Sequence, residues 1–435
     1  MLKFITPRIY RAISVVALPL ASLYLMMRSR KQPAYKQFWS ERFAWGDFPL
    51  RTSRPRVWIH AVSLGETNAA RPLIEQILKR WSEVDILLTH MTPTGREAGK
   101  KIIEQLGHRR IRQCYLPYDA PYAVAKFFRQ TKPTLGIVMR TEVWPNLMYE
   151  AAQQNIPMVL ANARESEKSL QQAQRVYQLI QPAFQRFSLV LAQSEKDAKR
   201  LALLGAQHIV VTGSVKFDIQ PNYSQVATAK TWKEAFQRPV IALLSSRTGE
   251  RLEFVRAYKK YKEAFGNALL LIVPRHPERF AEVIAMLEEQ GLSYTRRSSF
   301  LTPAEMNKNV DVLLGDSMGE MSLYCGLADM VAMGGSFASF GSQNMIEPAM
   351  IGCPVVVGPS TFNFAQIVQD GLKDQALCQV QTARDCMLIF LQWLNDEQRR
   401  KKMSHKAMCF AQSHAGATSR MMNEMEFLWR QAQKN

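Results

Sequence analysis

From Val57 onward the chain repeats one pattern: a short run of consecutive apolar residues, then a longer segment whose apolar residues recur every third or fourth position. The runs are too short for helices and rich in β-branched residues, so they read as strands buried on both faces, and the segments between them read as amphipathic helices. Strands are predicted at Val57 to His60, Ile86 to Thr89, Cys114 to Leu116, Leu135 to Met139, Met158 to Leu160, Leu189 to Ala192 and Ile209 to Val211. A second series follows at Val240 to Leu244, Leu269 to Val273, Asp311 to Leu314, Met330 to Met333 and Val355 to Val357. Strands alternating with helices build parallel, doubly wound sheets, because a parallel neighbour is reached only through a crossover.

The polar stretch Asp218 to Gln225, with Pro221 and Asn222, separates the two series and reads as a linker. The expected organisation is an anchor and interface segment over 1–45, a Rossmann-like α/β domain over 46–217, the linker over 218–225, and a second Rossmann-like domain over 226–435 closed by C-terminal helices. Open sheets of this class bind ligands beyond the carboxyl ends of their strands, so the two domains are expected to face a cleft.

Before the alternation begins, Ala12 to Met27 is almost wholly apolar, with Lys3, Arg8 and Arg11 ahead of it and Arg28, Arg30 and Lys31 behind. At about sixteen residues it falls short of the ~20 a spanning helix needs, which predicts an anchor helix that spans with thinning or is re-entrant. No small-x-small cleavage site follows it. Tyr35, Trp39, Phe43 and Trp45 come next and suit a headgroup layer; the other reading of these rings is ordinary core.

Composition narrows the partners. The 435 residues are 47% hydrophobic, enough for two cores, and carry a formal charge of +19. That charge points to a polyanion: nucleic acid, an anionic bilayer or phosphorylated substrates. The basic clusters lie near the anchor and at Arg96, Lys100, Lys101, Arg109, Arg110 and Arg112, and no nucleic-acid module is present, so no nucleic-acid partner is expected. The six cysteines form no C-x-x-C pair, the seven histidines lack metal spacing, and there is no Asp-x-Asp pair to hold a divalent ion on a pyrophosphate. The expectation is a site with no metal and no cofactor.

Candidate chemistry gathers where predicted strands end. Gly334 to Phe364 runs from one strand to the next through Gly334-Gly335 and a helix start at Asn344 to Pro348 with Glu347 in its first turn. Such a turn is suited to a phosphate, with the glutamate taking ribose hydroxyls; the alternative is a plain Gly-rich turn with an acid favouring the helix dipole. No Lys-Ser/Thr follows the glycines, which excludes a Walker loop. Three strand ends carry related tetrapeptides: Ser63-Leu64-Gly65-Glu66, Arg247-Thr248-Gly249-Glu250 and Ser317-Met318-Gly319-Glu320. The first and third read either as capping boxes or as sites where a glycine leaves backbone open to a ligand. Glu142 in Thr141 to Asn146, Lys216 in Gly213 to Asp218, and Arg275 between Pro274 and His276-Pro277 each place a charge at a strand end. A stiffly held guanidinium such as Arg275 suits a phosphate.

Together, Gln32-Pro33-Ala34-Tyr35-Lys36, HAVSLGE, MTPTGREAG, LPYDAP, TEVWPN, NAR, AQSEKDA, VKFD, PRHPER, GDSMGE and NMIEPAMIGCPVVVGPSTFNF make the chain resemble the 3-deoxy-D-manno-octulosonic acid (Kdo) transferases of lipopolysaccharide synthesis. These are inverting glycosyltransferases of the two-domain GT-B architecture. The resemblance implies transfer of Kdo from CMP-Kdo to a lipid A precursor at the cytoplasmic side of the inner membrane; the positive charge suits that membrane's anionic surface, and a donor with one phosphate can lose CMP to Arg275, helix N-termini and Lys216 without a metal. It also implies Glu66 as base, Glu142 and Lys216 as transition-state stabilisers, and Pro274, Arg275, Met318, Gly319, Glu320, Asn344, Met345, Ile346 and Glu347 as CMP contacts. The chain departs from the family pattern in three places. An acidic residue is usual where Arg140 stands, a histidine where Gln343 stands, and Ser-Thr-His-Glu-Gly-Glu where Ser245 to Glu250 stand. The alternative is a GT-B transferase or epimerase using another nucleotide sugar, whose pyrophosphate donor would make UDP rather than CMP the protecting ligand.

Overall fold

The computed structural model describes residues 6–307 and 309–434, so Lys3 lies outside the described residues. The chain divides into two compact units, Met1–Ile219 with Ala415–Asn435, and Gln220–His414.

The first unit is built on a seven-stranded sheet in the order β3-β2-β1-β4-β5-β6-β7. Its strands are β1 (Arg56–His60), β2 (Asp85–His90), β3 (Ile111–Tyr115), β4 (Leu135–Met139), β5 (Met158–Ala163), β6 (Leu189–Ala192) and β7 (Ile209–Val211). All neighbours are parallel; Val57 stands beside Ile86 on one side and Leu135 on the other. Each face has its own core. Val57, Ile59 and Ile137 pack against Leu73, Ile74 and Ile77 of the Leu64–Arg80 helix, while Trp58, Leu87 and Val138 pack against Phe127 and Phe128.

The second unit has a seven-stranded parallel sheet in the order β10-β11-β9-β8-β12-β13-β14. Its strands are β8 (Val240–Ser246), β9 (Leu269–Pro274), β10 (Tyr294–Arg296), β11 (Val312–Leu314), β12 (Met330–Met333), β13 (Val355–Val357) and β14 (Leu377–Gln379). The apolar runs predict every strand except β10 and β14. Those two are short edge strands, flanked on one side only, and apart from Leu377 their residues are partly or fully exposed, so they need no apolar run.

The chain's end departs from the expected boundary. The Ala417–Ala432 helix belongs to the first unit, not to a second domain running to 435. Asp218 starts it, accepting from the amides of Gly416 at 2.6 Å and Thr418 at 2.5 Å. Trp429 then stacks on Trp81 with ring centroids 4.5 Å apart, and Met421, Met422 and Met425 fill the core beneath the Leu64–Arg80 helix. The helix returns because its apolar face finds that partner. The linker is correspondingly narrower than 218–225: Asp218 is committed to the first unit, and Asn222 caps the Tyr223–Phe236 helix of the second.

The N-terminal apolar stretch is two helices, Pro7–Val16 and Leu18–Lys31, bent by 52°. No single helix among the described residues is long and apolar enough to cross a membrane; the bent pair meets that requirement by length and composition only. Leu25 packs with Tyr35 and Phe43 in a small core, so those two rings are internal and unavailable to a headgroup layer, whereas Trp45 is 66% exposed.

Candidate functional site

In the first sheet the chain lays β1, β2 and β3 outward on one side and then crosses to β4 on the other. Loops leaving β1 and β4 therefore diverge, and the carboxyl ends of these two strands are where an open sheet receives a ligand. Glu66 stands in the first turn of the helix that follows the first loop, and Arg140 and Glu142 lie in the second loop.

Glu66 is the third residue of the Leu64–Arg80 helix and is 6% exposed. Its Oε2 accepts from the amides of Val62 at 2.8 Å and Ser63 at 3.3 Å, which is the cap the spacing allows. Its Oε1 faces the Arg140 guanidinium at 3.6 Å. One oxygen thus closes the helix, and the other stays at the strand end facing Arg140. Burial raises the Glu66 pKa; Arg140 and the amides pull it back only in part. Gly65 leaves the backbone here open, since a Cβ would meet no atom within 4 Å.

Glu142 is half-buried, and its pKa is raised by burial and then by the charge of Glu66. Arg140 partly offsets both carboxylates. It adopts a left-handed φ of +62° directly after β4, which costs a non-glycine residue about 1 kcal/mol. Lys216 lies in the 3₁₀ turn Val215–Asp218 after β7, and a bond from the Val215 amide to Asn162 Oδ1 (3.3 Å) ties that turn to the end of β5. Burial, then Arg164 and Arg140, push the Lys216 pKa down to about 8.

Two neighbouring charged residues, Arg164 and Glu165, are assigned no role by the sequence alone. Arg164 follows β5 in the NAR stretch and acts on Lys216, and Glu165 beside it is 4% exposed with its pKa pushed up to about 7 by burial and Asp197. The available signal was the NAR stretch with Glu165 after it, charged residues a few positions beyond the strand predicted at Met158 to Leu160.

The second unit places the expected nucleotide residues at the carboxyl ends of β9, β11 and β12. Pro274 is buried; Arg275 is exposed, held by its amide to the Ser246 carbonyl at 3.0 Å and by Nε to Gln343 Oε1 at 3.3 Å. Met318 is 63% exposed and Gly319 has a φ of +81° with open space where a Cβ would lie. Glu320 sits at the N-cap of the Met321–Leu327 helix, not at its third position, so the capping-box reading fails there. Its carboxylate instead takes the Ser317 hydroxyl and, at 2.9 Å, Arg297. After β12, Asn344 is exposed, Met345 and Ile346 are 2% exposed and can offer only backbone, and Glu347 accepts from Ser322 Oγ at 2.6 Å. Burial raises the Glu347 pKa.

Gly334 serves the fold first: a Cβ there would lie 2.5 Å from the Ser245 carbonyl oxygen, so only glycine lets β12 end beside β8. The loop is then clamped by Glu250, 2% exposed, which accepts from the Gly335 amide at 2.7 Å and from Phe337 and Arg247. Arg247 itself contacts His276 and lies over the Phe340 ring at 4.6 Å.

Residues 37–219 match the family model described as 3-deoxy-D-manno-octulosonic-acid transferase (kdotransferase). The 3-deoxy-D-manno-octulosonic acid transferase of Bordetella pertussis is 41% identical over 415 residues, covering 94% of this chain and 96% of that one. Its counterpart from Haemophilus influenzae is 32% identical over 421 residues, covering 95% of this chain and 96% of that one. Among solved structures, the UDP-GlcNAc 2-epimerase of Neisseria meningitidis bound to UDP-GlcNAc aligns with a TM-score of 0.58 at 14% identity, over 85% of this chain and 98% of that one. The last likeness is one of fold.

Proposed function

The chain belongs to the 3-deoxy-D-manno-octulosonic acid transferase family, and from that premise we propose the acceptor, the residues and the place of its reaction. It is a glycosyltransferase that moves Kdo from CMP-Kdo in lipopolysaccharide synthesis. The acceptor is a lipid A precursor. The observation that carries the reading is the group at the ends of β1, β4 and β7: a buried carboxylate with one oxygen uncommitted to its helix cap, a second carboxylate beside it, and a lysine of lowered pKa.

In the step assigned to these residues, the acceptor hydroxyl gives its proton to Glu66 while its oxygen bonds to the anomeric carbon of Kdo. The bond from that carbon to the CMP phosphate oxygen breaks, and CMP leaves with the electron pair, inverting the centre. A raised carboxylate pKa makes Glu66 a better base than an exposed one. Lys216 and Glu142 stabilise the charges that develop, and Arg275 takes the phosphate of CMP. Pro274, Met318, Gly319, Glu320, Asn344, Met345, Ile346 and Glu347 complete the nucleotide contacts. The proposed reaction uses no metal or cofactor.

The place is the cytoplasmic side of the inner membrane. Ile13, Val16, Leu20, Leu23 and Met27 of the bent helix pair are exposed, and Arg8, Arg28 and Arg30 flank them, which supports a helix pair lying in an anionic bilayer surface. Incubation with CMP-Kdo and lipid A precursor tests the function: a product heavier by whole Kdo increments supports it, and an unchanged acceptor mass overturns it.

A further inference from the structure

Of the two Glu66 oxygens, Oε2 is committed to the Val62 and Ser63 amides and Oε1 is the one left to receive a proton. That atom is the partner of Arg140, at 3.6 Å. The pair is lopsided: the Arg140 side chain is 46% exposed and that of Glu66 is 8% exposed. An incoming ligand therefore meets the guanidinium before the carboxylate. The backbone of Arg140 is fixed, with its amide bonded to the Ala161 carbonyl at 2.9 Å and its φ in the left-handed region. Any release of Oε1 is then a swing of the side chain alone. Arg164 and Lys216 act on the same surroundings, so the neighbourhood favours an added anion. A phosphate offers a guanidinium two oxygens and a greater charge than a carboxylate already sharing its other oxygen with two amides.

We propose that Arg140 is a specificity-determining residue: it holds the Glu66 carboxylate in the resting enzyme and releases it when a phosphate of the acceptor takes the guanidinium. This rests on Glu66 being the base. Acceptors bearing that phosphate are then activated as well as bound, and acceptors without it leave the base occupied.

The test compares lipid A precursor with the same molecule after phosphatase treatment, with kcat/KM measured for each by the wild-type enzyme and Arg140→Gln. The wild type should lose at least about tenfold on the dephosphorylated acceptor, and Arg140→Gln should treat the two within about threefold. Retention of the wild-type ratio by Arg140→Gln overturns the proposal. So does a raised KM for CMP-Kdo with an unchanged acceptor ratio, which would assign the anion to the donor. A pH profile reads the ion pair itself. The groups facing Glu66 are Arg140 and Glu142, with Arg164 and Lys216 beyond, and losing the guanidinium should move the acid limb of kcat/KM to higher pH; an unmoved limb counts against the pair. If Arg140→Gln does not fold by its melting curve, Arg140→Lys, which keeps the charge and loses the fork, should show a ratio intermediate between wild type and unity, and a full wild-type ratio in it overturns the proposal. Glu66→Gln separates the two readings: near wild-type turnover defeats the base assignment, whereas an inactive Glu66→Gln with an unchanged Arg140→Gln ratio defeats the Arg140 proposal alone.

Discussion

The Tyr10 hydroxyl donates a 3.0 Å hydrogen bond to Asp119 Oδ2, joining the Pro7–Val16 helix to the carboxylate that starts the helix after Glu142. Asp119 also accepts from the amides of Asn146 at 3.0 Å and Leu147 at 2.8 Å, in the first turn of the Pro145–Gln153 helix. Asn146 in turn donates to Ser14 Oγ at 3.1 Å. The N-terminal helix is therefore bound into the first unit beside a candidate catalytic loop, and is more than a tether.

Tyr10→Phe should lower the melting temperature by the equivalent of about 1–2 kcal/mol, since it removes one donor from a buried carboxylate. Burial raises the Asp119 pKa from 3.8 to about 6. A carboxylate with a raised folded pKa contributes stability below its unfolded value and loses it as pH rises through the folded one, so Asp119 favours the fold less at pH 7 than at pH 4. Without the tyrosine donor the loss on raising the pH should be steeper, as melting curves across that range would register.

Glu66→Gln separates the helix cap from the proposed base. The amide can still accept the cap bonds, so the fold should lose at most about 1 kcal/mol. It cannot accept a proton, so turnover at saturating donor and acceptor should fall roughly a hundredfold or more. Turnover close to that of the wild type would leave Glu66 a helix cap.

If Lys216 acts in the reaction as proposed, it should give an alkaline limb. Its pKa is lowered from 10.5 to about 8, so a cation acting in the transition state is lost as pH rises through about 8. The same group stabilises the folded chain above its unfolded pKa and ceases to do so as pH falls through the folded one. Lys216→Arg keeps the charge, so whatever activity it retains should show no fall near pH 8; a limb that persists there belongs to another group.

Arg275→Ala should weaken CMP-Kdo binding by about 1.5–3 kcal/mol, the contribution of a charge-assisted phosphate contact. Its side chain is exposed and held mainly by Gln343, so the melting temperature should hardly change. Unchanged donor affinity by calorimetry would take Arg275 out of the site.

What the sequence determined by itself was local. Apolar runs such as Leu135 to Met139 are buried on both faces and can be little else, so the strands, their alternation with helices and the parallel sheets were legible. So were the charged residues standing at the strand ends, and the ordered series of motifs that marks the family. What only the tertiary structure decided depends on partners far apart in the chain. The rings of Tyr35 and Phe43 suit a membrane interface or a core equally well, and Leu25 decides for the core. The Ala417–Ala432 helix has an apolar face whichever unit it joins; Trp81 and Asp218 settle which. β10 and β14 form because a neighbouring strand offers an edge, not because of their own residues. The pairing of Glu66 with Arg140 exists because the sheet order sets β1 beside β4, and no local pattern encodes which oxygen the guanidinium meets.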